Sequence, residues 1–494
     1  MIFEKQFQKI CKYCDEILLS NFSTKEIVAV SWLHVIREHS EFTSRYYGLF
    51  DKSKRFNLTF PLKSFFFIFF RIFKNLLTQK NKLLIIGTPK QVDVLMISHF
   101  LNVNQIGKDN DFYFGSLAEE IAKLGKKVVI GLINHTDQNS KYVKSKWKIL
   151  PKIPRIIFGK DIGIYYEFKI LKDLIQNYFN IRKLNEIGDY FKKKVIHQLK
   201  KELFSIDTIN NLKIYYQLCE LLKIYNPKSV ILIHEGHAHE RVIFKALREV
   251  NKNIKCIGYQ QACIFKQQHA IKRNLGEGYN PDIILTSGEN PKRILEKNFS
   301  QENIIIKKLG SPKYIKKKSQ NFSKKKNYCL VIPEGLPKEC KYLFDLTIKY
   351  SNKFKDTKFI WRLHPIITFD YLFKQKLIPS YIPKNIILSS NNLEDDIEKC
   401  KWALYRGTTA IFTAVANGVY PIYYNHNDNI SADPLYEVEN RSSVNNISDL
   451  NNLFKNNSNR HKLEKLKKSA EYCNKSFEKY NLQTIKEIFN ESKN

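Results

Sequence analysis

From Lys82 onward the chain alternates short apolar runs with longer stretches of helical spacing. Leu83-Leu84-Ile85-Ile86-Gly87, Val92 to Ser98 and Lys126 to Leu132 read as buried strands, with a helix over Ser116 to Leu124 between the last two. Residues 165–225 read as helical, lysine-rich and amphipathic. Ser229 to Ile233, Ile254 to Tyr259 and Asp282 to Thr286 resume the strand series. The pattern breaks at Leu309-Gly310-Ser311-Pro312, and the clusters at Lys316–Lys318 and Lys324–Lys326 read as a solvated linker. A second series follows, with strands at Tyr328 to Ile332, Phe359 to Leu363, Ile386 to Leu388, Trp402 to Tyr405 and Val419 to Tyr424. Such alternation implies right-handed crossovers and parallel sheets.

The expected class is α/β: two doubly wound Rossmann-like domains facing each other across a cleft, with a helical N-terminal extension. The extension covers residues 1–80, and the first domain covers 81–312 with a helical insertion at about 165–225. Residues 313–327 form a basic linker, 328–445 the second domain and 446–494 a charged helical tail. A chain of 494 residues exceeds what one compact core holds. Open sheets of this kind bind ligands at the carboxyl ends of their strands, so a site is expected between the domains.

Charge narrows the partners. The chain carries 82 Lys and Arg against 48 Asp and Glu, formally +34, which suits a phosphorylated donor, an acidic polysaccharide or an anionic membrane surface. The basic residues are dispersed and no nucleic-acid motif occurs, so nucleic acid is not expected. With 43% hydrophobic residues the chain is not disordered. Nine irregularly spaced cysteines make no disulfide framework, and Cys11-Lys-Tyr-Cys14 lacks the second pair of a zinc site. No run approaches the roughly 20 apolar residues of a spanning helix. Phe60 to Leu77, where Phe65 to Phe70 lie between Lys63, Arg71 and Lys74, fits an interfacial segment or a buried helix. Lys192-Lys193-Lys194 and Lys200-Lys201 fit a solvated helix face or lipid headgroups.

The chemistry-bearing motifs lie in both halves. In Trp361-Arg362-Leu363-His364-Pro365 an imidazole and a planar guanidinium end a strand, with the same strand parity if it stays regular. Both can donate to a phosphate oxygen. Pro333-Glu334-Gly335 turns a strand where glycine admits close ligand approach. Arg406-Gly407-Thr408-Thr409 opens a small-residue helix, as an anion site or as an N-cap. In the first half, His234-Glu235-Gly236-His237-Ala-His239-Glu240 holds acids and imidazoles but is not HExxH. His237 and His239, two apart, would not share a helix face, so no metal is assigned. Asp109 and Asp111, in the loop from Gly107 to Tyr113, could hold acceptor hydroxyls or simply form turns.

His-Pro at one strand end, followed by a hydroxyl pair opening a later helix, resembles the bacterial GT-B glycosyltransferases that use CMP-activated sugars. Those are the sialyltransferases and the Kdo transferases of capsule and lipopolysaccharide assembly; the CDP-glycerol glycerophosphotransferases are similar. Phe112 to Leu117, His234-Glu235-Gly236, Gly258-Tyr259-Gln260-Gln261 and Leu309 to Pro312 extend the likeness over about residues 90–430. The resemblance implies an inverting, metal-independent and cofactor-free transfer of an acidic sugar (Kdo or a nonulosonic acid) from a CMP donor to a glycan or glycolipid, by a cytoplasmic protein or one at the cytoplasmic face of the inner membrane. It implies Glu235 as general base with Glu240 in reserve, although the family often has tandem acids where His234 precedes Glu235 here. It also implies donor contacts at Gly310, Ser311, His364, Thr408 and Thr409, to which the strand-end and turn chemistry adds Gly335, Arg362, Arg406 and Gly407. Asp111, His237 and Gln260 become acceptor-side candidates. The glycerophosphotransferases carry a histidine where this chain has glutamine in Gly258 to Gln261, which counts against that branch. A CDP-alditol or UDP-hexose donor remains an alternative within the fold. A non-catalytic assembly protein or a basic nucleic-acid-binding protein remains outside it.

Overall fold

The computed structural model describes residues 2–21, 23–35, 66, 69, 70, 73, 83–87, 89, 91–136, 138–159, 161–182, 189–276, 278–300, 303–315, 326–426, 431–439, 441–455 and 460–490. Most of the aromatic segment at 60–77 and the lysine clusters at 316–318 and 324–325 lie outside them. Among the described residues no helix is long and apolar enough to cross a membrane.

Eight strands build the first sheet: β1 (Leu84–Ile86), β2 (Val94–Phe100), β3 (Val128–Asn134), β4 (Arg155–Ile157), β5 (Ser229–Ile233), β6 (Lys255–Gln260), β7 (Ile283–Thr286) and β8 (Ile305–Lys308). Their order is β1-β4-β3-β2-β5-β6-β7-β8, with β1 antiparallel to β4 and every other pair parallel. The second sheet holds β9 (Lys326–Pro333), β10 (Lys358–Trp361), β11 (Ile386–Leu388), β12 (Cys400–Arg406), β13 (Tyr420–Tyr424) and β14 (Ser442–Val444), ordered β11-β10-β9-β12-β13-β14 and wholly parallel. Both sheets wind outward in one direction, return to the start and wind the other way. The two domains are therefore doubly wound and Rossmann-like.

All five residues of β5 are buried, as a strand covered on both faces requires. Helices Ile164–Arg182, Tyr190–Glu202 and Ile206–Tyr225 cover one face of the first sheet together with Ile10, Ile17, Ile27 and Leu33 of the N-terminal helices. The N-terminal helices are thus part of that lobe's core rather than a separate extension. Lys194 is buried, with its ammonium 4.4 Å from the Tyr190 ring centroid, so the lysine run is not a uniformly solvated face. Strand β4 and the edge strands β8 and β14 were not expected from the sequence, because three or four residues carry too little periodicity to register.

The C-terminal tail is not an appendage. Helix Arg460–Ser476 packs between the helices Ala410–Ala416 and Glu289–Phe299, one from each lobe. Helix Leu482–Phe489 then joins the first lobe's core through Ile485, Ile488 and Phe489, beside Phe114 and Leu117. Lys307–Glu487 at 3.1 Å and Lys308–Glu478 at 2.9 Å fasten the same crossing. Ile488→Ala is expected to cost about 2–5 kcal/mol, because it empties buried volume that cannot fully collapse. Hydrogen exchange should register the loss in β6 and β7 of the first lobe; protection loss confined to the second lobe would contradict this packing.

Candidate functional site

In an open parallel sheet the crevice lies where neighbouring strands send their connections to opposite faces. That point falls between β2 and β5 in the first lobe and between β9 and β12 in the second. The carboxyl end of β2 carries His99, and the loops leaving β5, β9 and β12 carry His234-Glu235-Gly236, Glu334-Gly335 and Gly407-Thr408.

On the second lobe the turn after β9 is the hub. A Cβ on Gly335 would sit 3.2 Å from His364 Nδ1, so the WRLHP segment touches this turn. A Cβ on Gly407 would fall 2.5 Å from the Glu334 carboxyl carbon, and Gly407 has a φ of +68°, so glycine is required twice over. His364 accepts the Ile366 N–H at Nδ1 (3.4 Å), which leaves the proton on Nε2 as a donor. Burial lowers the His364 pKa, nearby Lys313 adds to the fall and Glu334 opposes it.

Several expected donor contacts are engaged elsewhere. The strand stops at Trp361, so the parity that would align Arg362 with His364 is lost. Arg362 instead binds the buried Asp396 at 3.1 Å and the Asn391 carbonyl at 2.6 Å. Arg406 is wholly buried, with Nε 2.5 Å from Glu339 and Nη1 bonded to the Tyr423 hydroxyl and the Tyr424 carbonyl. It braces β12 against helix Pro337–Lys353 and does not reach the cleft. Thr408 is buried and its Oγ1 accepts the N–H of Ala410, the first residue of helix Ala410–Ala416, at 3.3 Å. Thr409, half-buried, makes no side-chain capping bond. Gly310 and Ser311 pack against the returning tail: the Ser311 N–H donates to the Glu478 carbonyl at 2.8 Å. They form the joint between lobe and tail rather than a donor pocket.

On the first lobe Glu240 is a structural acid. Its Oε2 accepts from His234 Nδ1 (2.8 Å) and from the N–H groups of Glu235 (2.9 Å), Gly236 (2.7 Å) and His237 (3.1 Å). Burial alone would raise this carboxyl, but the His234 hydrogen bond and the neighbouring imidazoles hold it well below the usual carboxylate range. Nothing remains of a reserve base. Glu235 is partly exposed, with Oε1 accepting from Gln261 Nε2 at 3.2 Å and Oε2 3.9 Å from His237 Nε2. Asp111 is buried and accepts from Ser98, Tyr113 and Phe114 at 2.8–2.9 Å, so it shapes its own loop instead of meeting an acceptor. Gln260 is buried too, bonded to the Ala262 carbonyl and to Ser287. Gln261, one position on, is the residue that faces Glu235.

Lys313 is the residue the sequence reading missed. It follows the Gly310-Ser311-Pro312 joint, and its ammonium lies 3.0 Å from Gln261 Oε1 and 6.0 Å from the ring centroids of Phe112 and Tyr113. Burial lowers its pKa while Glu235 and Cys263 oppose the fall. Lys313 is thus within electrostatic reach of Glu235 on one lobe and His364 on the other. Cys263 supports the same convergence: it follows β6 yet packs into the second lobe's core, and Glu235, Lys313 and Glu334 all act on its thiol. Amid several lysine clusters, a single lysine after proline gave no pattern to single it out.

No family model matches this chain, and no curated protein matches it either. Solved structures do show likeness. CalG4, the calicheamicin glycosyltransferase, aligns at a TM-score of 0.48 and 11% identity over 81% of this chain and 98% of its own. The UDP co-structure of S. aureus MnaA aligns at 0.45 and 12%, over 80% and 96%. MurG of Acinetobacter baumannii aligns at 0.41 and 11%, over 80% and 98%. The likeness is one of overall shape at low score, and the reading of the site rests on this chain's own residues.

Arg406→Met leaves Glu339 buried without its cation, which is expected to cost about 3–5 kcal/mol. Denaturant unfolding measures it, and a loss below about 1 kcal/mol would show that Arg406 is not a structural brace.

Proposed function

We propose that this chain is a GT-B glycosyltransferase that moves an acidic sugar from a CMP donor to a glycan or glycolipid acceptor. The observation that carries the reading is that Gln261 bridges Glu235 Oε1 (3.2 Å) and Lys313 Nζ (3.0 Å), with His364 of the other lobe within electrostatic reach of that lysine. An acid from one lobe and two nitrogen donors, one at the joint and one on the other lobe, are what an inverting transfer needs. The acceptor oxygen bonds to the anomeric carbon while Glu235 takes its proton, and the bond from that carbon to the donor phosphate oxygen breaks. Negative charge then grows on the leaving phosphate, where the Lys313 ammonium and the His364 Nε2–H stabilise it in a partly desolvated site. The Glu334 carboxylate would repel phosphate, so it suits ribose or sugar hydroxyls. The dispersed positive charge favours peripheral contact with an anionic membrane at the cytoplasmic face.

A thermal-shift panel of CMP, CDP, UDP and GDP tests the donor. CMP at a hundredfold excess over its Kd should stabilise the protein by about 2.7 kcal/mol. Stabilisation by UDP with no effect of CMP or CDP overturns the CMP assignment. His364→Ala and Lys313→Met should each remove a charge-assisted bond of about 1.5–3 kcal/mol, lowering nucleotide affinity tenfold or more. Glu235→Gln should bind nucleotide normally and lose about 10²–10⁴ in transfer rate. Equal glycan formation by that variant would eliminate Glu235 as the base.

The pH dependence has a definite sign. Burial lowers the His364 pKa in the free protein, and a bound phosphate favours the imidazolium and raises it. Nucleotide affinity should therefore increase as pH falls from about 8 to about 6. His364→Gln should flatten that dependence, whereas an unchanged slope would remove His364 from the phosphate.

A further inference from the structure

The imidazoles gathered at the first lobe's switch point have no step assigned to them in this transfer. His237 is the N-cap of helix Ala238–Val250, with extended backbone (φ −71°, ψ 159°), whereas His239 lies in the first turn. Two histidines two positions apart diverge only on a continuous helix. The break at His237 lets two imidazoles two positions apart converge. One ring nitrogen from each, and one carboxylate oxygen of Glu240, lie within 4.8 Å of one another.

The carboxylate is fixed before any ligand arrives. Its Oε2 accepts four donors, and Oε1 lies 3.8 Å from His237 Nδ1 and 3.9 Å from His239 Nε2. Both separations are too long for hydrogen bonds. His239 Nε2 is shielded from solvent and has no hydrogen-bond partner among the described residues. A buried imidazole nitrogen aimed at a clamped carboxylate, without a proton shared between them, is an arrangement that a cation completes.

We propose that His237, His239 and Glu240 form a site for one divalent transition-metal ion of the zinc class. Two imidazoles and a carboxylate are the donor set such ions take, with a further position open to water or another ligand. Bonds of about 2.1 Å place tetrahedral ligand atoms roughly 3.4 Å apart, so small ring rotations close the site. Metal-bound imidazoles take outer carboxylate partners, and acids and imidazoles that could close onto this site stand around it. Glu235 Oε2 lies 3.9 Å from His237 Nε2, and His234 holds Glu240. The His99 ring packs edge-on against His239 at 5.4 Å and bonds His135 at 2.9 Å. The site stands independently of the nucleotide reading, since neither Lys313 nor His364 belongs to it.

The test is calorimetric titration of chelator-stripped, full-length protein with Zn²⁺ and Co²⁺, with metal content measured after gel filtration. One equivalent per chain is expected, with His237→Ala and His239→Ala each weakening binding by at least about tenfold. His239→Ala should keep the metal-free unfolding temperature of the wild type, whereas His237→Ala also removes the N-cap side chain and is compared with its own metal-free baseline. His197→Ala, on helix Tyr190–Glu202, controls for adventitious histidine binding and should bind like the wild type. Glu240 is left intact because its loss would also uncap the helix. A wild-type chain that takes up no zinc, or a His239→Ala variant that binds as tightly as wild type, overturns the site.

Discussion

The reversal of winding in each sheet is the constraint on which the rest depends. Between β2 and β5, and between β9 and β12, adjacent parallel strands send their connections to opposite faces, so their carboxyl ends stand apart from the covering helices. Polar side chains can gather there without entering a core. Every group given a chemical role here leaves the sheet near one of those two points, apart from Lys313, which sits at the joint between the lobes.

The two crevices are organised by different means. In the first lobe one carboxylate does the ordering: Glu240 satisfies three backbone N–H groups and His234, which fixes the loop from His234 to His237 and so places Glu235. A buried acid is tolerable only when its oxygens are so satisfied. In the second lobe glycine does the ordering. Gly335 and Gly407 let the three loops after β9, β10 and β12 pack without Cβ atoms between them. The returning tail then ties the lobes together, since its helices contribute to both cores.

Much of this was legible in the chain. The alternation of apolar runs with helical spacing marked most strands of both sheets, because strands buried on both faces carry long unbroken apolar signals. Side-chain destinations were harder to read. Arg362 and Arg406 look alike in sequence, each ending a strand, yet each is consumed by a buried acid more than thirty residues away, Asp396 and Glu339. Gln260 and Gln261 differ only by parity: the first points inward, the second toward Glu235. Register at a strand's end decides such cases, and periodicity is weakest there. The tail's tie to the first lobe was invisible because its partners there lie well over a hundred positions upstream, as with Lys307 and Glu487.

The central claim is that one ligand is held by both lobes at once, with Lys313 between them. A crystal structure of the protein with CMP tests it most directly. The expected result is the phosphate within hydrogen-bonding distance of His364 Nε2 and Lys313 Nζ, with Glu235 facing the open side of that phosphate. A nucleotide seated outside the cleft, or touching one lobe alone with Lys313 still bonded to Gln261, would contradict it.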